Sequence, residues 1–122
     1  MWSATIIGEL ASAKNSRRLV PRKTKKGKTY LASIKSDKAQ GWLAGAMVQV
    51  KRPKIPIGGD VALNATVYYA SRRPDLDIAL LMDFLQSVGV IVNDRQIIEQ
   101  HIFKKLDKLN PRVNVMVIPV CD

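Results

Sequence analysis

The stretch that decides the fold of this chain is Val61-Ala62-Leu63-Asn64-Ala65-Thr66-Val67-Tyr68-Tyr69-Ala70. Its odd positions up to Tyr69 are apolar or aromatic, while Asn64 and Thr66 lie at even positions. Alternation with a period of two is typical of a β-strand that buries one face. The stretch leads into Arg72-Arg73-Pro74-Asp75-Leu76-Asp77, and residues 76–88 then repeat apolar side chains at helical spacing. The sequence therefore predicts a strand followed by a helix, with charged residues at the junction.

Two carboxylates lie two residues apart at this junction, Asp75 and Asp77. Like charges this close repel each other unless they share a cation or a proton. Mg²⁺ takes oxygen ligands and usually binds only one or two protein carboxylates, so the pair is a candidate metal site. The alternative is structural: Asp75 would cap the helix, and Asp77 would interact with its positive end.

A third acid, Asp94, is predicted to return to this pair. A helix from Asp77 to Val88 would be roughly 18 Å long at 1.5 Å per residue. Residues 90–94, if extended, would retrace about 16 Å at 3.3 Å per residue. Asp94 can therefore reach the neighbourhood of Asp75 and Asp77. The alternative is that Asn93-Asp94 forms a simple turn, because both residue types favour turns.

The charge is unevenly distributed along the chain. The net charge is +10 and the pI is about 10.1. Residues 1–73 contain 15 basic and 3 acidic side chains, whereas residues 74–122 contain 5 basic and 7 acidic ones. A basic part joined to a slightly acidic part indicates a polyanion-binding surface beside a cation-binding site. A solvated basic surface that binds nucleic acid only weakly is the alternative.

The basic side chains are densest in a loop predicted over about residues 11–30. Eight of the 15 residues from Lys14 to Lys28 are Lys or Arg. Pro21 and Gly27 argue against a continuous helix. We expect a mobile loop that becomes ordered on a phosphate backbone, with binding that weakens strongly as salt increases.

The remaining patterns complete a single α+β domain over residues 1–122. They predict a first strand at 4–8, a helix over about 36–50 with Trp42 in the core, and a hairpin of strands 97–106 and 112–119. The expected architecture is a mixed sheet of about four strands packed by two helices, in the order β-α-β-α-β-β. His101, the only histidine, is interpreted as a strand residue because no nucleophile pairs with it.

The sequence also favours a cytoplasmic protein that does not act at a membrane. No apolar run is long enough to span a bilayer, and the N-terminus has no export signal. Cys121, the only cysteine, can form no disulfide within the chain, which suits a reducing compartment.

The order of these features resembles the RusA family of Holliday junction resolvases, across nearly the whole chain. The shared features are Gly8 followed by basic residues, the strand into Arg72-Arg73-Pro74-Asp75-Leu76-Asp77, the helix that ends at Gly89, and Asn93-Asp94. The resemblance implies a small Mg²⁺-dependent homodimeric endodeoxyribonuclease of bacterial or phage origin, in which Mn²⁺ can replace Mg²⁺. Such an enzyme acts in DNA recombination and repair by cutting symmetrically placed phosphodiesters in a four-way junction.

By this likeness, Asp75, Asp77 and Asp94 are the catalytic metal ligands. The residues expected to contact DNA are Lys14, Arg17, Arg18, Lys23, Lys25, Lys26, Arg72 and Arg73. The family usually has Asn after its second Asp and a Lys one helical turn later, whereas here Ile78 follows Asp77 and the helix contains no Lys. Arg73, Arg95 or Lys25 would have to replace that lysine. A DNA-binding protein of the same fold that cuts weakly or not at all is therefore the alternative hypothesis.

Overall fold

The computed structural model describes residues 1–12, 17–27, 29–35 and 37–120, with the backbone alone for 17–22 and 29–35. Lys14 and Cys121 lie outside the described residues. Along the chain the elements are β1 (Trp2–Ile7), β2 (Arg17–Lys23), β3 (Thr29–Lys35), α1 (Asp37–Gln49), β4 (Val61–Tyr69), α2 (Ala79–Ser87), a 3₁₀ turn (Asp94–Gln96), β5 (Ile97–Leu106) and β6 (Arg112–Pro119).

Four of the strands form one mixed sheet in the order β1-β6-β4-β5. Strand β6 runs antiparallel to both β1 and β4, and β5 runs parallel to β4. Helix α2 connects β4 to β5, as a crossover between parallel strands requires. The predicted α+β class, with a four-stranded mixed sheet and two helices, is confirmed.

Both helices pack on the same face of the sheet. The odd-numbered residues of β4 and Val113, Val115 and Val117 of β6 point into this core. The predicted α2 stripe is completely buried: Leu81, Phe84, Leu85 and Val88. Trp42 of α1 meets Phe84 edge-on, with ring centroids 5.6 Å apart, which confirms that this tryptophan belongs to the core.

Helix α2 ends where the sequence predicts. The amide N–H of Gly89 donates to Gln86 O, and that of Val90 donates to Leu85 O. This pair of bonds is a Schellman motif, in which the residue after the helix adopts a left-handed conformation that favours glycine. Gly89 has a φ of +85°. The chain therefore reverses sharply at this point and leaves the helix toward the start of β5.

Two predictions of local structure are wrong. Strands β5 and β6 do not form a hairpin, because they pair with opposite sides of β4 and are connected by residues 107–111. The basic stretch predicted as a loop instead contains the antiparallel pair β2–β3, with Arg17 opposite Lys35 and Lys23 opposite Thr29. Its turn includes Gly27, which has a φ of +82°.

Neither described helix has the length and apolar character needed to cross a membrane.

Candidate functional site

Asp75 and Asp77 lie just beyond the end of β4, in the loop that precedes α2. The Tyr69 hydroxyl donates to the Asp75 backbone carbonyl at 3.2 Å, which ties this loop to the last residue of β4. The Asp75 side chain is exposed, and that of Asp77 is half-buried. The carboxylates of the pair therefore lie in different environments, one facing solvent and the other facing the first turn of α2.

Both carboxylate oxygens of Asp77 accept hydrogen bonds. Oδ1 accepts from the Ala79 N–H at 3.0 Å, and Oδ2 accepts from the Ser12 hydroxyl at 2.8 Å. Helix α2 begins at Ala79, later than predicted, and Asp77 rather than Asp75 satisfies an N–H of its first turn. The structural role proposed for Asp75 as a helix cap is wrong: the N-cap position is Ile78, whose side chain makes no capping bond, and the Asp77 carboxylate just before it accepts from the first N–H of the helix.

A third carboxylate, that of Glu9, lies near this loop and was not a predicted site residue. Its Oε1 accepts from the Ala70 N–H at 3.3 Å, just after β4 ends. Burial first, and then the negative charges of Asp77, Glu9 and Asp75, raise the pKa of the Tyr69 hydroxyl, and the Asp77 N–H partly offsets this. The signal in the sequence was that Glu9 is the only acid before Asp37 in a very basic segment.

A cleft of about 350 Å³ opens beside these residues, and its walls carry side chains of both charges. The walls are formed by Leu10, Ser12, Lys38, Tyr69, Arg73, Pro74 and Asp75. Lys38 and Arg73 are exposed cations, and Asp75 is an exposed anion. Cationic side chains can bind a phosphate and a carboxylate can bind a metal ion, and phosphodiester chemistry uses this combination of groups.

The three cations that the sequence indicated as substitutes for the lysine of RusA-type proteins lie in different places. Of the three substitutes that the sequence indicated, Arg73 lines the cleft, Lys25 lies in the β2–β3 turn, and Arg95 lies in the 3₁₀ turn before β5. Lys104 was not predicted. Its ammonium group donates to the backbone carbonyls of Pro74 and Arg72 and lies 5.7 Å from the centroid of the Tyr69 ring.

Asp94 lies at the opposite end of the sheet from Asp75. It begins the 3₁₀ turn before Ile97, which pairs with Val61 at the start of β4, whereas Asp75 is bonded to Tyr69 at its end. The nine residues of β4 span roughly 26 Å at 3.3 Å per residue. The prediction that Asp94 returns to Asp75 and Asp77 within one chain is wrong.

The reason is a capping box at Asn93. Its side chain accepts from the Arg95 N–H at 2.9 Å, and the Gln96 side chain accepts from the Asn93 N–H at 3.1 Å. The Asp94 N–H donates to Gln86 of α2 at 3.2 Å. These bonds stop the chain from retracing the helix, as the alternative interpretation of Asn93-Asp94 as a turn predicted.

The donor chemistry of Asp75 and Asp77 fits Mg²⁺, but a complete three-acid set does not form. Two carboxylates are within the number that Mg²⁺ usually takes from a protein. Among the described residues, no group of three or more His, Cys, Asp or Glu side chains is arranged to hold one metal ion. Asp94 could join the pair only from another chain.

The predicted DNA contacts are distributed over two regions. Lys23, Lys25 and Lys26 are exposed at the tip of the β2–β3 hairpin, and Arg72 and Arg73 are exposed beside the cleft. The backbone of Arg17 and Arg18 lies in β2. The hairpin tip therefore presents three cations to solvent, and no acidic residue lies between them in the sequence.

No protein-family model matches this chain, and neither does any curated protein.

Proposed function

We propose that this protein is a metal-dependent endodeoxyribonuclease that acts on branched DNA, with its reaction centre at Asp75 and Asp77. The observation that supports this most directly is the cleft in which Asp75 lies with the cations Lys38 and Arg73. Carboxylates beside cations that can bind a phosphate are the parts that metal-assisted phosphodiester cleavage needs.

DNA would be held mainly through its phosphates. The exposed lysines at the tip of the β2–β3 hairpin and the arginines beside the cleft are suited to this role. These side chains carry charge but have no defined arrangement toward base edges, so we expect recognition of DNA shape rather than of sequence. A four-way junction is the substrate that the likeness to RusA-type resolvases suggests.

In and beside the cleft, each residue would have a distinct part. Asp75 and Asp77 would hold Mg²⁺, which supplies Lewis-acid activation of the phosphodiester and of a water molecule when bound. Ser12 fixes the Asp77 carboxylate, and Tyr69 fixes the backbone of Asp75. Arg73 and Lys38 would bind the phosphate and stabilise the negative charge that develops on it.

Cleavage of a synthetic four-way junction in the presence of Mg²⁺ or Mn²⁺ tests this function. We expect Asp75→Asn to lower the cleavage rate at least about 100-fold, since a neutral amide binds Mg²⁺ poorly, while junction binding in a gel-shift assay is unchanged or tighter. Asp60→Asn is the matched control, because Asp60 is an exposed acid at the start of β4. Cleavage by Asp75→Asn at the wild-type rate would show that the reaction centre lies elsewhere.

The second candidate function is binding of branched DNA without cleavage. The absence of lysine from α2 and the distance of Asp94 from the other two acids favour it. This hypothesis predicts that the wild-type protein binds junctions, leaves them intact with either metal, and shows no increase in melting temperature when Mg²⁺ is added. Junctions that stay intact while the wild-type protein is bound to them would favour binding without cleavage over the endonuclease function.

A further inference from the structure

The face of the main sheet that carries no helix contains a cavity of about 530 Å³. Pockets that bind small molecules usually measure about 300–1,000 Å³. The cavity shares no residue with the cleft beside Asp75. Apart from one histidine its lining residues are neutral, so its chemistry suits an uncharged polar group better than a phosphate. The polar side chains among them are Ser3, Thr5, Asn64, Thr66, His101 and Asn114.

The strand register brings an amide and an aromatic ring close together in this cavity. Asn64 of β4 pairs with His101 of β5, and Thr66, two residues further along β4, pairs with Phe103. Neighbouring strands lie about 5 Å apart, and two residues along a strand span about 7 Å. Asn64 and Phe103 are therefore diagonal neighbours on the same face, close enough for one flat ligand to contact both side chains.

Asn64 carries an unused hydrogen-bond acceptor. Its Oδ1 is buried and has no partner in the part of the chain that the structure describes. Buried polar atoms without a partner are rare in folded proteins, and a ligand is one of the groups that can satisfy them. The Asn114 amide in the same cavity, by contrast, accepts from Thr5 Oγ1 at 3.1 Å. Because an amide carries its acceptor next to its N–H donors, Asn64 matches a ligand edge with a donor next to an acceptor.

Phe103 gives the cavity an exposed aromatic wall. Its side chain is 58% exposed, although a phenyl ring gains most from burial. His101 adds a second flat ring, and its Nε2 lies 2.7 Å from Glu99 Oε1. Exposed aromatic side chains are platforms on which the bases of single-stranded nucleic acid stack. An aromatic ring beside an amide with an unused acceptor therefore suits a flat ring with a polar edge.

The charge beside the cavity favours a base that belongs to a nucleic-acid strand. Lys105 follows Phe103 on this face of β5, since it pairs with Tyr68, and its side chain is exposed. Arg112 of the same face is paired with Asp107 at 2.7 Å, which leaves Lys105 as the cation for a phosphate next to the base. The net charge of +10 likewise attracts a polyanion more strongly than a neutral ligand.

We propose that this cavity binds one unpaired base of single-stranded DNA, with the base stacked on Phe103 and its polar edge bonded to the Asn64 amide. Lys105 binds the phosphate beside that base. Adenine presents a donor at N6 next to an acceptor at N7, which an asparagine amide matches with two hydrogen bonds, so we expect the site to bind adenine well. Binding of DNA is shared with the proposed function, but no acid of the cleft takes part.

Fluorescence anisotropy tests this site with two labelled strands of equal length, one of deoxyadenosine nucleotides and one of abasic deoxyribose phosphates. The titrations contain EDTA, so that no metal-dependent cleavage takes place. We expect the wild-type chain to bind the strand with bases at least about tenfold more tightly, because stacking of a base adds to the affinity. Both strands carry the same phosphates, so equal dissociation constants would overturn the proposal.

Four variants locate the base. Phe103→Ala should lower the affinity for the deoxyadenosine strand at least about fivefold and leave binding of the abasic strand unchanged, whereas Phe103→Tyr, which keeps an aromatic ring, should bind like the wild type. Asn64→Thr should lose affinity in the same way, because it removes the amide and keeps a residue that favours strands. Ile98→Ala is the matched control, since Ile98 is 56% exposed on the same strand but does not line the cavity. Wild-type affinity of Phe103→Ala, or an equal loss in Ile98→Ala, would overturn the proposal.

Further measurements distinguish the other occupants that this face could have. Displacement of the strand by an equal concentration of free deoxyadenosine monophosphate would assign the cavity to a free nucleotide. A wild-type dimer that Phe103→Ala converts to a monomer in light scattering, with no preference for bases, would assign the face to a second copy. Either result would overturn the proposal. A chain that prefers the strand with bases but leaves junctions intact would support this site and contradict only the endonuclease function.

Discussion

At the scale of single residues, the two acids of the Asp75-Leu76-Asp77 stretch differ in how much of the structure depends on them. Asp77 connects the first turn of α2 to Ser12, which follows β1 in the chain, through one hydrogen bond to each carboxylate oxygen. The Asp75 side chain is exposed, and its fixed atom is the backbone carbonyl that accepts from Tyr69. A substitution of Asp77 is therefore expected to lower both the stability of the protein and any activity at this site. A substitution of Asp75 is expected to affect the activity alone.

This difference predicts unequal behaviour of two alanine variants in urea denaturation. Asp77→Ala should lower the free energy of unfolding by about 1–2 kcal/mol, since it removes the acceptor of the first N–H of α2 and leaves the Ser12 hydroxyl without this acceptor. Asp75→Ala, two residues away, should change the free energy of unfolding by less than about 0.5 kcal/mol. Equal losses in the two variants would contradict a stabilising role of the two hydrogen bonds that Asp77 accepts.

At the scale of elements, the sequence predicted which segments form strands better than it predicted their partners. The alternation in 61–69 and the apolar stripe of α2 follow from local periodicity, and both were confirmed. Pairing is decided by tertiary contacts, so residues 97–106 and 112–119 were found as strands but wrongly paired with each other. Asp94 was misplaced because the capping box at Asn93 depends on a side-chain bond that periodicity cannot show.

The β2–β3 hairpin was not predicted, because a stretch with so many basic residues is typical of an exposed loop. Regular hydrogen bonding across it, with a turn at residues 24–27, holds the cations at its tip in a defined place. We expect Lys25→Ala/Lys26→Ala to weaken junction binding about tenfold at low salt and to reduce the slope of log affinity against log salt by roughly 1–2, because up to two phosphate contacts are lost.

Lys51→Ala/Lys54→Ala is the matched control for the hairpin. It removes the same charge from exposed lysines just beyond α1, next to Arg52, which bonds to Val88 at the far end of α2 from the cleft. A filter-binding titration at several salt concentrations should show a smaller loss for this control. If both double variants lose affinity equally, net charge rather than the hairpin determines binding.

At the scale of the whole molecule, a single chain separates the acids that the likeness to RusA-type resolvases brings together. About 26 Å of β4 lies between the region of Asp94 and that of Asp75. In the homodimer that this likeness leads us to expect, Asp94 would have to come to the pair from the second copy. Such a homodimer would also have two reaction centres related by symmetry, which would match a substrate with two symmetric strands.

Shared reaction centres predict that two inactive chains can restore activity to each other. Asp75→Asn and Asp94→Asn should each abolish junction cleavage when assayed alone, because both centres of either homodimer lack a ligand. In a heterodimer, one centre lacks both acids, while the other has Asp75 and Asp77 of one chain and Asp94 of the other. Mixing the variants should therefore recover up to about a quarter of wild-type centres at statistical exchange, detected as nicking of one strand of the junction.

A mixture of Asp75→Asn with Asp77→Asn is the control and should stay inactive, because every centre then carries a changed residue. Recovery in that control, or none with Asp94→Asn, would show that Asp94 does not act across the dimer.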